Sequence, residues 1–184
     1  PFKHIILGVA SAIAMAGCTD LTESPRSSIT TSNYYNTADD VYRIAYRAFE
    51  HGFWTVAHRF TIQELTADQI ITPKRGTWYD NGGTYRQLHQ HQYGPDIDFS
   101  AKVNYCWSGC FQGIGECNYV IDELNSLNPD NFGIPAVEFD NLKAQNRAMR
   151  AWFYLQALDV FRNVPMVVSF YDQSQNTLSQ VPPK

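Results

Sequence analysis

The fold follows from one segment of the chain, VNYCWSGCFQGIGECNYVIDEL, which runs from Val103 to Leu124. Its apolar residues recur every three or four positions, which is the period of one face of an α-helix. We therefore expect a long helix that begins near Asp98 or Phe99 and buries this stripe in a core rather than against a cofactor. The stripe consists of Val103, Cys106, Cys110, Ile114, Cys117, Ile121 and Leu124.

Three glycines interrupt the same segment. Gly109, Gly113 and Gly115 each lower helix propensity by about 1 kcal/mol relative to alanine. A helix that keeps them is not stabilised by propensity, so we expect close packing against a neighbouring helix.

Two further helices are predicted before this segment. Thr37 is a suitable N-cap, and Asp39 and Asp40 place acidic groups in a first turn, where the helix dipole favours them. Apolar residues then recur at helical spacing, and we expect this helix to end near Gly52. The segment Trp54–Ile71 keeps the same period, which predicts a second helix running antiparallel to the first across a short turn.

A last long helix is predicted from Val137 to Phe161, after a break at Asn128-Pro129-Asp130. Pro165 ends it, and Met166–Val168 reads as extended chain. The sequence thus predicts a mostly α fold of antiparallel, tetratricopeptide-like α-hairpins, with no clean repeat period. The expected core face of this last helix is formed by Phe139, Leu142, Ala148, Trp152, Leu155 and Leu158.

Composition limits the classes of function. Hydrophobic residues make up 44% of the 184 positions, which suffices for one domain with a core. The formal net charge is −4, and no basic stripe is present, so nucleic acid is not an expected partner. Beyond the first eighteen residues, no run is apolar enough to cross a membrane.

The N-terminal segment has the pattern of a bacterial lipoprotein signal. Lys3 precedes an apolar run from Ile5 to Ala16, and the run ends directly before Gly17 and Cys18. We expect residues 1–17 to be removed, Cys18 to carry lipid, residues 18–36 to form a polar tether, and residues 37–184 to fold. The alternative is an ordinary secretory signal in which Cys18 is incidental.

The other three cysteines lie on the predicted central helix. Cys106 and Cys110 are four residues apart on one face, where disulfide geometry is hard to reach. Cysteine is readily buried as a small apolar residue, and we interpret Cys106, Cys110 and Cys117 in this way. A metal site or a disulfide is the alternative.

The segment from Thr72 to Asp98 is irregular, rich in glycine and aromatic residues, and long enough to indicate a functional loop. Sugar recognition requires aromatic faces for ring C–H groups and planar hydrogen-bonding side chains for hydroxyls. In the alternative, Trp78 only packs the loop onto the helices and Asp80-Asn81-Gly82 is merely a turn. The candidate ligand residues are Arg75, Trp78, Tyr79, Asp80 and Asn81.

The same segment contains a further candidate for a metal site. His89 and His91 alternate, so on a strand they would share a face, with Asp96 as a further ligand. We favour loop packing or solvent exposure of the two histidines, because no third ligand has a defined spacing. No catalytic motif of the nucleophile-elbow, zinc-protease or phosphate-loop type occurs in the sequence, and we expect no cofactor.

Four groups of residues, in order along the chain, resemble the N-terminal portion of SusD-like (RagB/SusD) outer-membrane lipoproteins of Bacteroidetes. The groups are Cys18 with Asp20-Leu21 and Pro25; residues 33–39 with Ala45-Tyr46; Trp107 with Gly113-Ile114 and Asn118–Ile121; and Arg147–Leu155 leading into Phe161–Pro165. In the last of these groups, Arg162-Asn163 stand where that family has Gly-Asp.

The resemblance implies a function that composition and spacing do not. SusD-like proteins are mostly helical, with tetratricopeptide-like hairpins, and lie lipid-anchored on the outer face of the outer membrane. They cap a SusC-like TonB-dependent transporter, bind glycans or other nutrients, and are not enzymes. They are also longer than this chain, which we therefore expect to be a fragment.

Two alternatives to this function stay open. A lipid-anchored helical scaffold would bind only protein partners. A metal-dependent hydrolase would be built around His89 and His91.

Overall fold

The computed structural model describes residues 34–73, 75–76, 81–94 and 97–172, without the side chains of residues 81 and 97–101. By its contacts the chain divides into Pro1–Tyr34 and Tyr35–Lys184, and the described residues belong almost wholly to the second unit. The described part contains four α-helices and no strand, so the predicted mostly α fold is confirmed. The helices are α1 (Ala38–Thr66), α2 (Thr84–His89), α3 (Ile97–Ser126) and α4 (Ala136–Phe161), with 3₁₀ turns at Asn81–Gly83 and Pro129–Phe132.

The helix α1 begins after the predicted N-cap, Thr37, and a capping box fixes this start. The Asp40 backbone N–H donates to the Thr37 hydroxyl oxygen at 3.3 Å, and the Thr37 N–H donates to the Asp40 carboxylate at 2.9 Å. The Thr37 hydroxyl also donates to this carboxylate, and these bonds lower the pKa of Asp40. Two N–H groups that would lack partners at the helix start are satisfied in this way.

The predicted break at Gly52 is wrong, because α1 continues through it to Thr66. Gly52 lies in the middle of the helix, and a Cβ atom there would stand 2.4 Å from the Met149 Cε atom of α4. The residue serves close packing between two helices rather than a chain reversal. One helix of 29 residues therefore replaces the predicted hairpin.

Helices α1 and α4 run parallel, and α3 packs antiparallel against both. The Tyr42 hydroxyl donates to Glu138 at one end, and Arg59 pairs with Asp159 near the other end of the same two helices. Halfway along α1, the His51 Nε2 atom bonds the Gly109 carbonyl of α3 at 2.8 Å. The long segment between α1 and α3 contains α2.

The apolar stripe of α3 forms the centre of the core, as predicted. Six of its seven members are buried, whereas Val103 at its start is half-buried. Around the middle of the helix, Ile114 and Cys117 pack with Ala48 of α1 and Phe153 of α4. The core therefore lies where the three long helices meet.

The glycines of α3 serve close packing at two of the three positions. A Cβ atom at Gly113 would lie 2.3–2.5 Å from three ring atoms of Phe153, and one at Gly109 would lie 3.1 Å from the Thr55 hydroxyl. Gly115 has no such neighbour within 4 Å.

The predicted core face of α4 is correct at its start and wrong further along. Phe139 and Leu142 are buried, but Ala148 is exposed and Leu155 is 62% exposed. The true face is partly polar, and for this reason a count of apolar residues misplaces it. Its buried members are Phe139, Leu142, Asn146, Phe153, Gln156 and Ala157.

The three cysteines of α3 are buried and free, as expected if they act as small apolar core residues: Cys106, Cys110 and Cys117. Burial raises the pKa of the Cys106 thiol to about 11, and that of Cys110 and of Cys117 to about 12. No helix of the described residues combines the length and apolarity needed to cross a membrane.

Candidate functional site

A cavity of about 630 Å³ lies where the ends of α1 and α4 approach α2 and the first part of α3. Because α1 and α4 are parallel, their C-terminal ends meet there. Apolar side chains form most of the wall, and Tyr93 from the segment after α2 is about half exposed beside them. The lining residues are Ile62, Gln63, Thr66, Ala67, Leu88, Tyr93, Val103, Asp159, Val160 and Phe161.

Planar polar side chains are joined at one side of the cavity. The Asp159 carboxylate of α4 accepts hydrogen bonds from Gln63 and from Arg59 of α1, the latter at 3.4 Å. Arg59 and Gln63 are one helical turn apart, so both reach the same carboxylate. The group holds two donors and one charged acceptor in fixed positions.

Two buried polar atoms of this region have no hydrogen-bond partner among the described residues. They are the Thr66 hydroxyl oxygen, in the cavity wall, and the Arg59 Nε atom. Buried polar groups are usually satisfied, so an unsatisfied pair beside a cavity calls for an explanation. Of the two residues, Thr66 lines the cavity, so a polar ligand there can bond its hydroxyl.

The segment that carries α2 is attached to the end of α1 by two histidines. The His91 Nε2 atom bonds the Thr66 carbonyl at 2.8 Å, and the His89 Nδ1 atom lies 3.2 Å from the Asp68 carboxylate. These contacts bring Tyr93 to the cavity.

The two histidines do not lie on a strand, as the metal-site alternative would require, because His89 is the last residue of α2 and His91 follows it in a turn with φ 54°. No group of three or more metal-ligating side chains occurs in residues 34–73, 75–76, 81–94 and 97–172.

The structure describes two of the five predicted ligand residues. Arg75 is exposed, and Asn81 opens the 3₁₀ turn that leads into α2. Trp78, Tyr79 and Asp80, like Cys18 in the N-terminal segment, lie outside the described residues. The candidate loop connects α1 to α2, and both helices line the cavity.

Sequence reasoning missed the residues of the cavity itself. Gln63 and Asp159 are 96 residues apart, and no short motif links them. A break at Gly52 would also have reversed the second half of α1 and separated it from the end of α4. Only the unbroken helix brings Arg59, Gln63 and Asp159 together.

A second cluster holds residues 163–172, which we call the C-terminal strap, against α3 and α4. The Arg150 guanidinium of α4 donates to the Asn118 side-chain oxygen of α3 at 2.7 Å and to the Val168 carbonyl at 2.9 Å. The Val167 carbonyl accepts from Asn118 at 3.1 Å and from the Tyr154 hydroxyl at 2.8 Å. The strap is therefore fixed through its backbone.

Acidic residues of α3 hold the end of the strap. The Asp122 carboxylate accepts from the Ser169 hydroxyl at 2.8 Å and from the Phe170 N–H at 2.7 Å. Glu123 is only 5% exposed and accepts a hydrogen bond from the Tyr171 hydroxyl, which raises the pKa of that tyrosine. Asp122 and Glu123 thus form part of an internal contact between α3 and the strap.

Comparison of the chain with protein-family models, with curated proteins and with solved structures found no match.

Proposed function

We propose that this chain belongs to a cell-surface lipoprotein, anchored through Cys18, that binds glycans or other nutrients. It delivers them to a SusC-like TonB-dependent outer-membrane transporter. Its long helices carry the ligand site, and it performs no catalysis. The observation that carries this proposal is the cavity at the ends of α1 and α4.

The chemistry of the cavity suits a sugar. A pyranose ring has C–H faces that pack on aromatic side chains, and Tyr93 and Phe161 offer such faces. Its hydroxyls are matched by planar donors and acceptors, which Arg59, Gln63 and Asp159 supply. The volume lies within the range of about 300–1,000 Å³ that is usual for small-molecule sites.

The candidate loop adds a second set of contacts in this proposal. It joins two elements of the cavity wall, so a ligand longer than one sugar unit can extend from the cavity onto it. Its contributing residues are Arg75, Trp78, Tyr79, Asp80 and Asn81.

Two of the groups that resemble SusD-like proteins are in contact in the fold. Asn118 belongs to the third group of resembling residues and Arg150 to the fourth, and the two side chains bond directly. Together they hold Val167 and Val168, just beyond the Val-Pro turn that ends the fourth group. Such a contact gives a physical reason for the two groups to occur together.

The test is calorimetry of the 184-residue chain against a panel of oligosaccharides. Tyr93→Ala is expected to weaken the binding of a glycan that the wild type binds by about three- to tenfold, the usual range for loss of one aromatic stacking contact. Tyr105→Ala is the matched control, because Tyr105 is 56% exposed on α3 and stacks on His58 outside the cavity.

Two outcomes contradict the proposal. One is a complete panel without binding by the folded wild-type chain. The other is an affinity of Tyr93→Ala equal to that of the wild type for every glycan bound.

A further inference from the structure

The outer side of α1 exposes an apolar surface. Single exposed apolar side chains are ordinary, but a contiguous set marks an interaction site. Here Phe53 is 86% exposed and Trp54 is 69% exposed, in the middle of the helix. We call this surface the α1 outer face; its members are Tyr46, Phe49, Phe53, Trp54, Val56 and Phe60.

The α1 outer face borders grooves that a large side chain can fill. Met149 and Trp152 of α4 form two grooves with α1, of about 290 and 330 Å³. Phe49 lines both, and Gly52 lines the first. Phe53 stands at the edge of the first groove. A protruding aromatic side chain and a groove are thus adjacent on one surface, as self-complementary packing requires.

The exposed area is close to what a stable dimer needs. Exposure ranges from 36% at Phe49 to 86% at Phe53. Because an aromatic side chain has about 150–250 Å² of surface, the four aromatic residues from Phe49 to Phe60 leave about 500 Å² open. Standard interfaces bury about 800 Å² per partner. These side chains and their surroundings therefore supply most of the area that one partner needs.

Charges on α1 complement one another under a two-fold rotation. Residues 43, 46, 50, 53, 57, 60 and 64 recur at spacings of three and four and share one side of the helix. A two-fold axis between Phe53 and Trp54, with the two copies of α1 antiparallel, places Arg43 opposite Glu64 of the partner subunit. The symmetry repeats this pair at the other end, with the aromatic residues between.

We propose that the α1 outer face is a homodimer interface, in which two copies of α1 pack antiparallel about a two-fold axis near Phe53 and Trp54. Phe53 of each copy fills the groove that Met149 and Trp152 form on the other. The interface is independent of the ligand cavity, which lies toward the end of α1.

A charge swap tests the arrangement. In sedimentation equilibrium of the 184-residue chain, Arg43→Glu and Glu64→Arg are each expected to raise the dimer dissociation constant about tenfold, because each sets two like-charged pairs opposite each other. The double variant restores both ion pairs with the signs exchanged, so its constant is expected to return to within about threefold of the wild type.

A matched pair of aromatic substitutions tests the centre of the interface. Phe53→Ser is expected to be monomeric at concentrations where the wild type and Tyr105→Ser are dimeric, with circular dichroism checking that all three are equally helical. A wild type that stays monomeric at about 0.1 mM overturns the proposal, since standard-size interfaces bind more tightly than that. A dimer that the swap and Phe53→Ser leave unchanged also overturns it, and assigns the association to another segment, such as Ile5–Ala16.

Discussion

Among single residues, the cysteines of α3 combine reactive chemistry with complete burial. Each of the three is at most 2% exposed, and burial in apolar surroundings disfavours the thiolate. The thiolate is the reactive form, so the raised pKa values and the lack of access both protect these side chains. Burial of this kind would allow the chain to keep free thiols even in an oxidising compartment.

We expect the three thiols to be silent to an aromatic disulfide reagent while the chain is folded. At pH 8 a thiol with a pKa of about 11 is ionised in about one molecule per thousand. A Cys18→Ser variant should therefore release less than about one tenth of an equivalent in buffer within minutes, and three equivalents in denaturant. Rapid labelling of the folded chain would contradict the described packing.

Among the elements, α1 shows where the sequence pattern was informative and where it was not. Thr37 and the acidic residues after it predicted the start of the helix, because N-capping is local chemistry. Gly52 led to a wrong prediction, because the sequence does not distinguish a glycine that ends a helix from one that allows a neighbouring helix to pack closely. Asn146 was missed for a similar reason: its amide donates to the Ala45 and Leu142 carbonyls, which makes a polar residue a core residue.

The glycines of α3 allow a matched test of this packing. Gly113→Ala places a methyl group against the buried Phe153 ring, so it is expected to destabilise the chain by about 1–3 kcal/mol in spite of better helix propensity. Gly115→Ala meets nothing within 4 Å and is expected to stabilise it by up to about 1 kcal/mol. Urea unfolding of both variants provides the measurement. Equal effects of the two substitutions would refute the close approach of α3 to α4.

For the whole molecule, the fold class and the long helices near residues 97–126 and 136–161 were predictable, since a 3.6-residue period needs no partner. The candidate site was not. Gln63 and Asp159 meet only because α1 and α4 are parallel and unbroken, and the strap meets α3 only after α4 has returned the chain. Long-range pairs of this kind leave no local signal.

The strap supplies a test at this scale. Asn118→Ala removes the bond to the Val167 carbonyl and the partner of Arg150, so a loss of about 1–3 kcal/mol is expected. Chymotrypsin should then cut after Phe170 or Tyr171 about tenfold faster, because local opening becomes easier. Asn125→Ala is the control, since Asn125 is exposed on the same helix. Equal cleavage rates in both variants would show that Asn118 does not hold the strap.

The unbroken length of α1 has a mechanical consequence. At about 1.5 Å per residue its 29 residues form a strut about 43 Å long. It has no hinge at Gly52, so the capping box, the exposed aromatic surface and the cavity wall move as one body. Any movement that admits a ligand must then bend the chain outside α1, in the connection to α3 or where α4 gives way to the strap.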